Sequence, residues 1–108
     1  MGQRGHGRAD TDVSVTLTLA NGIARRVDRL RNISLGGLFI EMDEPLPFGS
    51  EVDLEFVLAA GVKAIQCRGL VVRRQTNTPT GIGLRLLEIE PSDLRLVADY
   101  LEQHLVSA

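Results

Sequence analysis

The chain has 108 residues, 44% hydrophobic and 24% charged, with a formal net charge of -2. That length supports one domain around a modest core; no apolar run approaches the roughly 20 residues of a membrane-spanning helix. The charge balance supplies no field that would draw the chain to nucleic acid or to an acidic membrane. Cys67 is the only cysteine, which excludes an intramolecular disulfide and fits a reducing, bacterial-type cytoplasm.

Met1–Asp12 is polar, carries Gly2, Gly5 and Gly7, and shows no apolar stretch of the kind a secretory signal contains. It reads as a flexible N-terminal arm (residues 1–12) ahead of a folded domain (residues 13–108), because only Ala9 offers an apolar anchor. Arg4 and Arg8 stand four apart in this arm. Val13, Val15, Leu17 and Leu19 then alternate with Ser14, Thr16, Thr18 and Ala20, the period of a half-buried strand. Asn21-Gly22 is a strong hairpin-turn signal.

Ile23–Arg31 supports two readings. Ile23, Val27 and Leu30 are at helical spacing, whereas the hairpin signal before them favours a strand with an irregularity, which is the expectation adopted. Arg25, Arg26, Arg29 and Arg31 form a basic run that is either a solvated face or an anion-facing patch. Arg31 directly precedes the stretch Asn32-Ile33-Ser34-Leu35-Gly36-Gly37. Glycine reaches positive φ without steric cost and lets a ligand approach the backbone; Asn and Ser satisfy local backbone groups. A tight turn between strands accounts for this stretch as well as a binding loop does. Leu35 is expected to pack inward.

Leu38–Met42 reads as a short strand and Pro45–Gly49 as a loop, since neither proline donates a ladder hydrogen bond. Val52, Leu54, Phe56 and Leu58 alternate with Glu51, Asp53, Glu55 and Val57, a second clear strand. Gly61 turns the chain into a long strand over Val62–Arg74, with Ile65, Cys67, Gly69 and Val71 on one face. Cys67 there fits a small core residue. After a polar loop over Gln75–Thr80, Ile82, Leu84 and Leu86 mark the last strand. Pro91 suits the first position of a helix and Asp93 its first turn. Leu94, Val97, Ala98, Leu101 and Leu105 then form an apolar stripe that should cover one end or flank of the sheet.

Six short strands and one terminal helix predict a mainly β domain, a small antiparallel barrel or sandwich. Nothing in the sequence points to catalysis. His6 and His104 lie at opposite ends, one cysteine cannot build a zinc site, and no Walker loop or Gly-x-Ser-x-Gly elbow is present. Glu41, Asp43 and Glu44 fit a solvated loop better than a metal site. The expectation is a non-enzyme with no catalytic residue, no metal and no cofactor.

Arg4-x-x-x-Arg8 followed by Asn32-x-Ser34-x-x-Gly37, with Gly81-Ile82-Gly83-Leu84-Arg85-Leu86 before an amphipathic helix, resembles the PilZ domain family. The three ordered matches cover most of the chain. The resemblance implies a six-stranded antiparallel β-barrel with a C-terminal α-helix, and binding of the bacterial second messenger cyclic di-GMP. It implies that Arg4 and Arg8 grip guanine edges and phosphates, that Asn32 and Ser34 hydrogen-bond a guanine edge, and that Gly37 keeps the site floor free of a Cβ. Ala9-Asp10-Thr11 departs from the more apolar stretch usual there. Eleven of the twelve basic residues are Arg, which suits guanine and phosphate; coding bias explains the excess equally well.

Three function classes follow. The first is a cytoplasmic cyclic di-GMP receptor that signals when its arm becomes ordered and its surface changes toward an unidentified downstream protein or a second copy in a homodimer. The second is a PilZ-like protein adaptor that binds no nucleotide. The third is an oligonucleotide-binding barrel, which the four aromatics and the negative charge disfavour. The first is the expectation, with neither a nucleic-acid polymer nor membrane insertion.

Overall fold

The apolar alternation closes into a barrel. The computed structural model describes residues 8–19 and 25–104. These form β1 (Arg8–Leu19), β2 (Arg25–Ser34), β3 (Gly37–Glu41), β4 (Glu51–Phe56), β5 (Ile65–Gln75), β6 (Gly81–Ile89) and α1 (Pro91–His104). All pairings are antiparallel, and the order β1-β2-β3-β6-β5-β4 closes as β4 returns to β1. Most strand residues expected to face inward do so. Val15, Leu17, Val52, Leu54, Phe56, Ile65, Val71, Ile82 and Leu84 are buried in one cluster. Burial of these branched side chains is the main stabilising contribution, at about 1.5–3 kcal/mol for each fully buried one.

The Arg25–Arg31 ambiguity resolves as a strand, and its irregularity is visible. The β2–β3 register shifts between Leu30 and Asn32, so Arg31 is an extra residue that breaks the alternation. The bulge lets Leu30 and Ile33, three apart, both be fully buried, where an unbroken strand would put them on opposite faces. The Asn21-Gly22 turn and Ile23 lie outside the described residues.

Two boundaries differ from the sequence expectation. The strand expected from Val13 begins at Arg8, so residues 8–12 belong to the barrel and not to the arm. Ala9 is fully buried and pairs with Ile33, while the Thr11 hydroxyl donates to the Leu30 carbonyl. A register shift between Asp10 and Val13 interrupts the alternation that would have revealed this segment. Residues 62–64 lie outside β5, which begins at Ile65. The chain turns just before them, where the Val62 N–H donates to the Ala59 carbonyl at 3.1 Å, with Gly61 at φ 81°.

The helix also turns a slightly different face inward. Asp93, Val97 and Leu101 are its buried residues, with Leu96 and Tyr100 packed against the core; Leu94 and Ala98 are only half-buried, and Leu105 lies outside the described residues. The rotation brings Asp93 under cover, where the Gln66 N–H donates to Oδ2 at 3.1 Å and Lys63 Nζ lies 2.8 Å from Oδ1.

Candidate ligand site

Strand register determines which of the predicted site residues meet. The β1–β2 pairing sets Arg8 opposite Ser34 and Asp10 opposite Asn32. Arg8, the last residue of the first motif, is therefore adjacent in the sheet to the second motif, more than twenty residues on in sequence. On the other side of β2, Asn32 is opposite Phe39 and Ile33 is opposite Leu38. Gly37 then faces Arg85 of β6. Arg4 lies outside the described residues.

Between β2 and β3 the chain turns at Leu35-Gly36. The Ser34 hydroxyl donates to the Gly37 carbonyl at 3.3 Å, and the Leu86 N–H donates to the Gly36 carbonyl at 3.1 Å. Neither Gly36 nor Gly37 has positive φ; among the described glycines only Gly49 and Gly61 do. Gly37 is required for a different reason. A Cβ there would lie 2.6 Å from the Leu84 carbonyl oxygen, inside van der Waals contact, so the absent side chain permits close approach of β3 to β6. Leu35 does not pack as expected. It is 52% exposed, because β2 ends at Ser34 and the turn carries Leu35 off the inward-facing series that ends at Ile33.

Asn32, Ser34 and Gly37 line an open groove of about 490 Å³ together with Phe39, Val72 and Arg73. Arg73 was not singled out by the sequence, which gives no sign that β5 lies across the groove from Asn32. Its guanidinium carbon sits 5.6 Å from the centroid of the Phe39 ring, a cation–π arrangement. Gly83, opposite Arg73 in the ladder, makes room for it: a Cβ at Gly83 would stand 3.2 Å from Arg73 Cβ and 3.4 Å from Nε.

A second depression of about 400 Å³ shares Asn32 and Phe39 and extends to Asp10, Asp12, Arg29 and Arg31. Its arginines are occupied: Arg29 pairs with Asp12 and Arg31 with Glu41, each at 3.1 Å. Glu41 thus closes β3 as an ion-pair partner. These exposed pairs contribute little to stability, yet they neutralise the basic run on that side. The larger groove beside α1, about 630 Å³, is lined by Asp53, Glu55, Glu88 and Glu90 with Arg68 and is acidic, ill suited to a phosphate.

Tyr100 ties α1 to the first residues of β1. Its hydroxyl donates to the Asp10 carbonyl at 3.4 Å, two residues from Arg8. No group of three or more potential metal ligands occurs among the described residues. Nor is any described helix long and apolar enough to cross a membrane.

The family model for the PilZ domain matches residues 2–103. Among solved structures, the chain is similar to the inhibitor of motility MotI/DgrA of Bacillus subtilis, with a TM-score of 0.77 at 20% identity. That match covers 95% of this chain and 51% of the other, so this chain spans about half the length of the B. subtilis protein. It is also similar to the PilZ domain of YcgR from Escherichia coli with c-di-GMP, with a TM-score of 0.66 at 18% identity, covering 95% of this chain and 92% of that one. At these identities the likeness concerns the fold. No curated protein matches the chain.

Proposed function

The chain belongs to the PilZ domain family, and from that premise we propose that it is a cytoplasmic receptor for cyclic di-GMP, a binding module and not an enzyme. The observation that supports the reading is the Arg8–Ser34 register, which sets the last residue of the Arg-x-x-x-Arg motif beside the Asn-x-Ser-x-x-Gly segment, whose Asn32, Ser34 and Gly37 line an open groove. Arg4 and Arg8 would supply charge-assisted contacts to phosphates and the O6/N7 edge of guanine. Asn32 and Ser34 would hydrogen-bond a guanine edge from the groove wall. The E. coli PilZ domain solved with c-di-GMP supports the choice of ligand.

Signalling on this reading is an ordering step. Ligand resting on the groove recruits Arg4 and Arg8, fixes the segment before Arg8, and creates a surface that a downstream protein distinguishes from the free state. Calorimetric titration tests the receptor reading: cyclic di-GMP should bind more tightly than cyclic di-AMP, GMP or GTP. Equal affinity for the adenine and guanine dinucleotides overturns the specificity, and no binding of either favours the adaptor reading. Backbone order parameters for Gly5 to Gly7, with and without saturating ligand, test the ordering step; equal values in both states overturn it.

A further inference from the structure

Resting on that receptor reading, we propose that Arg73 of β5 is a third ligand arginine, one that neither motif contains: it presents a flat guanidinium, backed by Phe39, on which a guanine base stacks.

Three independent features point the same way. First, Arg73 lines the groove that Asn32, Ser34 and Gly37 line, and it is exposed. Second, its guanidinium is supported on one side by the Phe39 ring at 5.6 Å, and the Phe39 side chain is itself buried at 6% exposure. A rigid ring beneath a flexible side chain reduces the conformational freedom lost on binding. Third, Gly83 leaves the space the Arg73 stem occupies, with 3.2 Å between its missing Cβ and Arg73 Cβ.

The electrostatics separate Arg73 from its neighbours. Arg29, Arg31 and Arg68 are each paired with a carboxylate, and Arg74 donates Nε–H to the Pro45 carbonyl. Among the described residues Arg73 makes no ion pair or hydrogen bond. It therefore retains its donors and its full charge for an incoming group. A guanidinium is weakly hydrated, planar and able to stack on a purine face, and a dianionic dinucleotide adds attraction from its phosphates. The result is a layered arrangement of Phe39, Arg73 and base.

Calorimetric titration of cyclic di-GMP into the full chain, with thermal melting of each free protein, tests this. Wild type should bind. Arg73→Ala should weaken binding on the order of ten-fold with an unchanged melting temperature. Arg73→Lys should lose nearly as much, because an ammonium keeps the charge without the plane. Gly83→Ala removes no polar group but pushes the Arg73 stem off its seat, and should weaken binding several-fold. Wild-type affinity in Arg73→Ala, or in Arg73→Lys, overturns the inference alone. Failure of the wild-type chain to bind overturns the receptor reading and this inference together.

Discussion

Lys63 Nζ lies 2.8 Å from Asp93 Oδ1, joining the β4–β5 connection to the first turn of α1. Asp93 is 3% exposed, and Lys63 is the only lysine in the chain. The hydrogen bond from Lys63 holds the Asp93 carboxyl below its ordinary 3.8; burial opposes this, and the Gln66 N–H reinforces it.

The pH dependence follows from that sign. A carboxyl with a depressed folded pKa stabilises fully above its unfolded value, near 3.8, and the contribution is lost as pH falls through the lower folded value. Asp93→Asn should therefore be less stable than wild type near neutrality, with the gap closing below that range in denaturant titrations. A gap that stays constant with pH would show that the ionised carboxylate is not its source. Lys63→Met should cost about 1–2 kcal/mol at neutral pH, less than a fully buried pair because the ammonium end is largely exposed.

Arg8→Ala should reduce cyclic di-GMP affinity more than Ser34→Ala, since a charge-assisted hydrogen bond is roughly twice as strong as a neutral one. Calorimetry on the two variants compares them directly. Neither should unfold the barrel, whose core is made by other residues. A lower melting temperature for unliganded Arg8→Ala would show that Arg8 is structural.

Gly37→Ala should destabilise the free protein by about 1–3 kcal/mol, the usual range for a side chain forced into occupied space. The cause is the 2.6 Å approach of the new Cβ to the Leu84 carbonyl, which must spread β3 from β6. Thermal melting without ligand measures it. Stability equal to wild type would mean that the two strands yield freely there, and that Gly37 serves only the ligand.

Cys67 should be inert toward iodoacetamide in the folded protein at neutral pH. Burial first, then the charges of Asp93 and Asp53, push its thiol up to about 12, leaving almost no thiolate, the reactive form. Alkylation followed by mass spectrometry should show labelling only as denaturant unfolds the barrel. Rapid labelling of the native protein would contradict its place in the core.

Much of the fold was legible because β1, β4 and β5 present long period-two alternations, from Val13 to Leu19, Val52 to Phe56 and Ile65 to Val71. The concealed parts share one physical cause, a break in that period. The bulge at residues 10–13 hid the first five residues of β1, and the one at 30–32 put Leu30 and Ile33, three apart, on one buried face of β2. Asp93 reads from the sequence only as a favourable first-turn residue, since no local pattern announces that Lys63 and Gln66 will meet it some thirty positions away. The Asn32, Ser34 and Gly37 group was legible as a local motif. Arg73 was not, because its place beside Phe39 depends on β3 and β5 both flanking β6.

Closure of the strand order on itself has a bearing on how this domain meets other proteins. Each strand among the described residues has a neighbour on both sides over at least part of its length, so no strand offers a whole open edge to an extended peptide. Closure disfavours recognition by adding a strand to a sheet, along with the edge-to-edge polymerisation that open sheets must guard against. Whatever reads this barrel reads its side chains and turns.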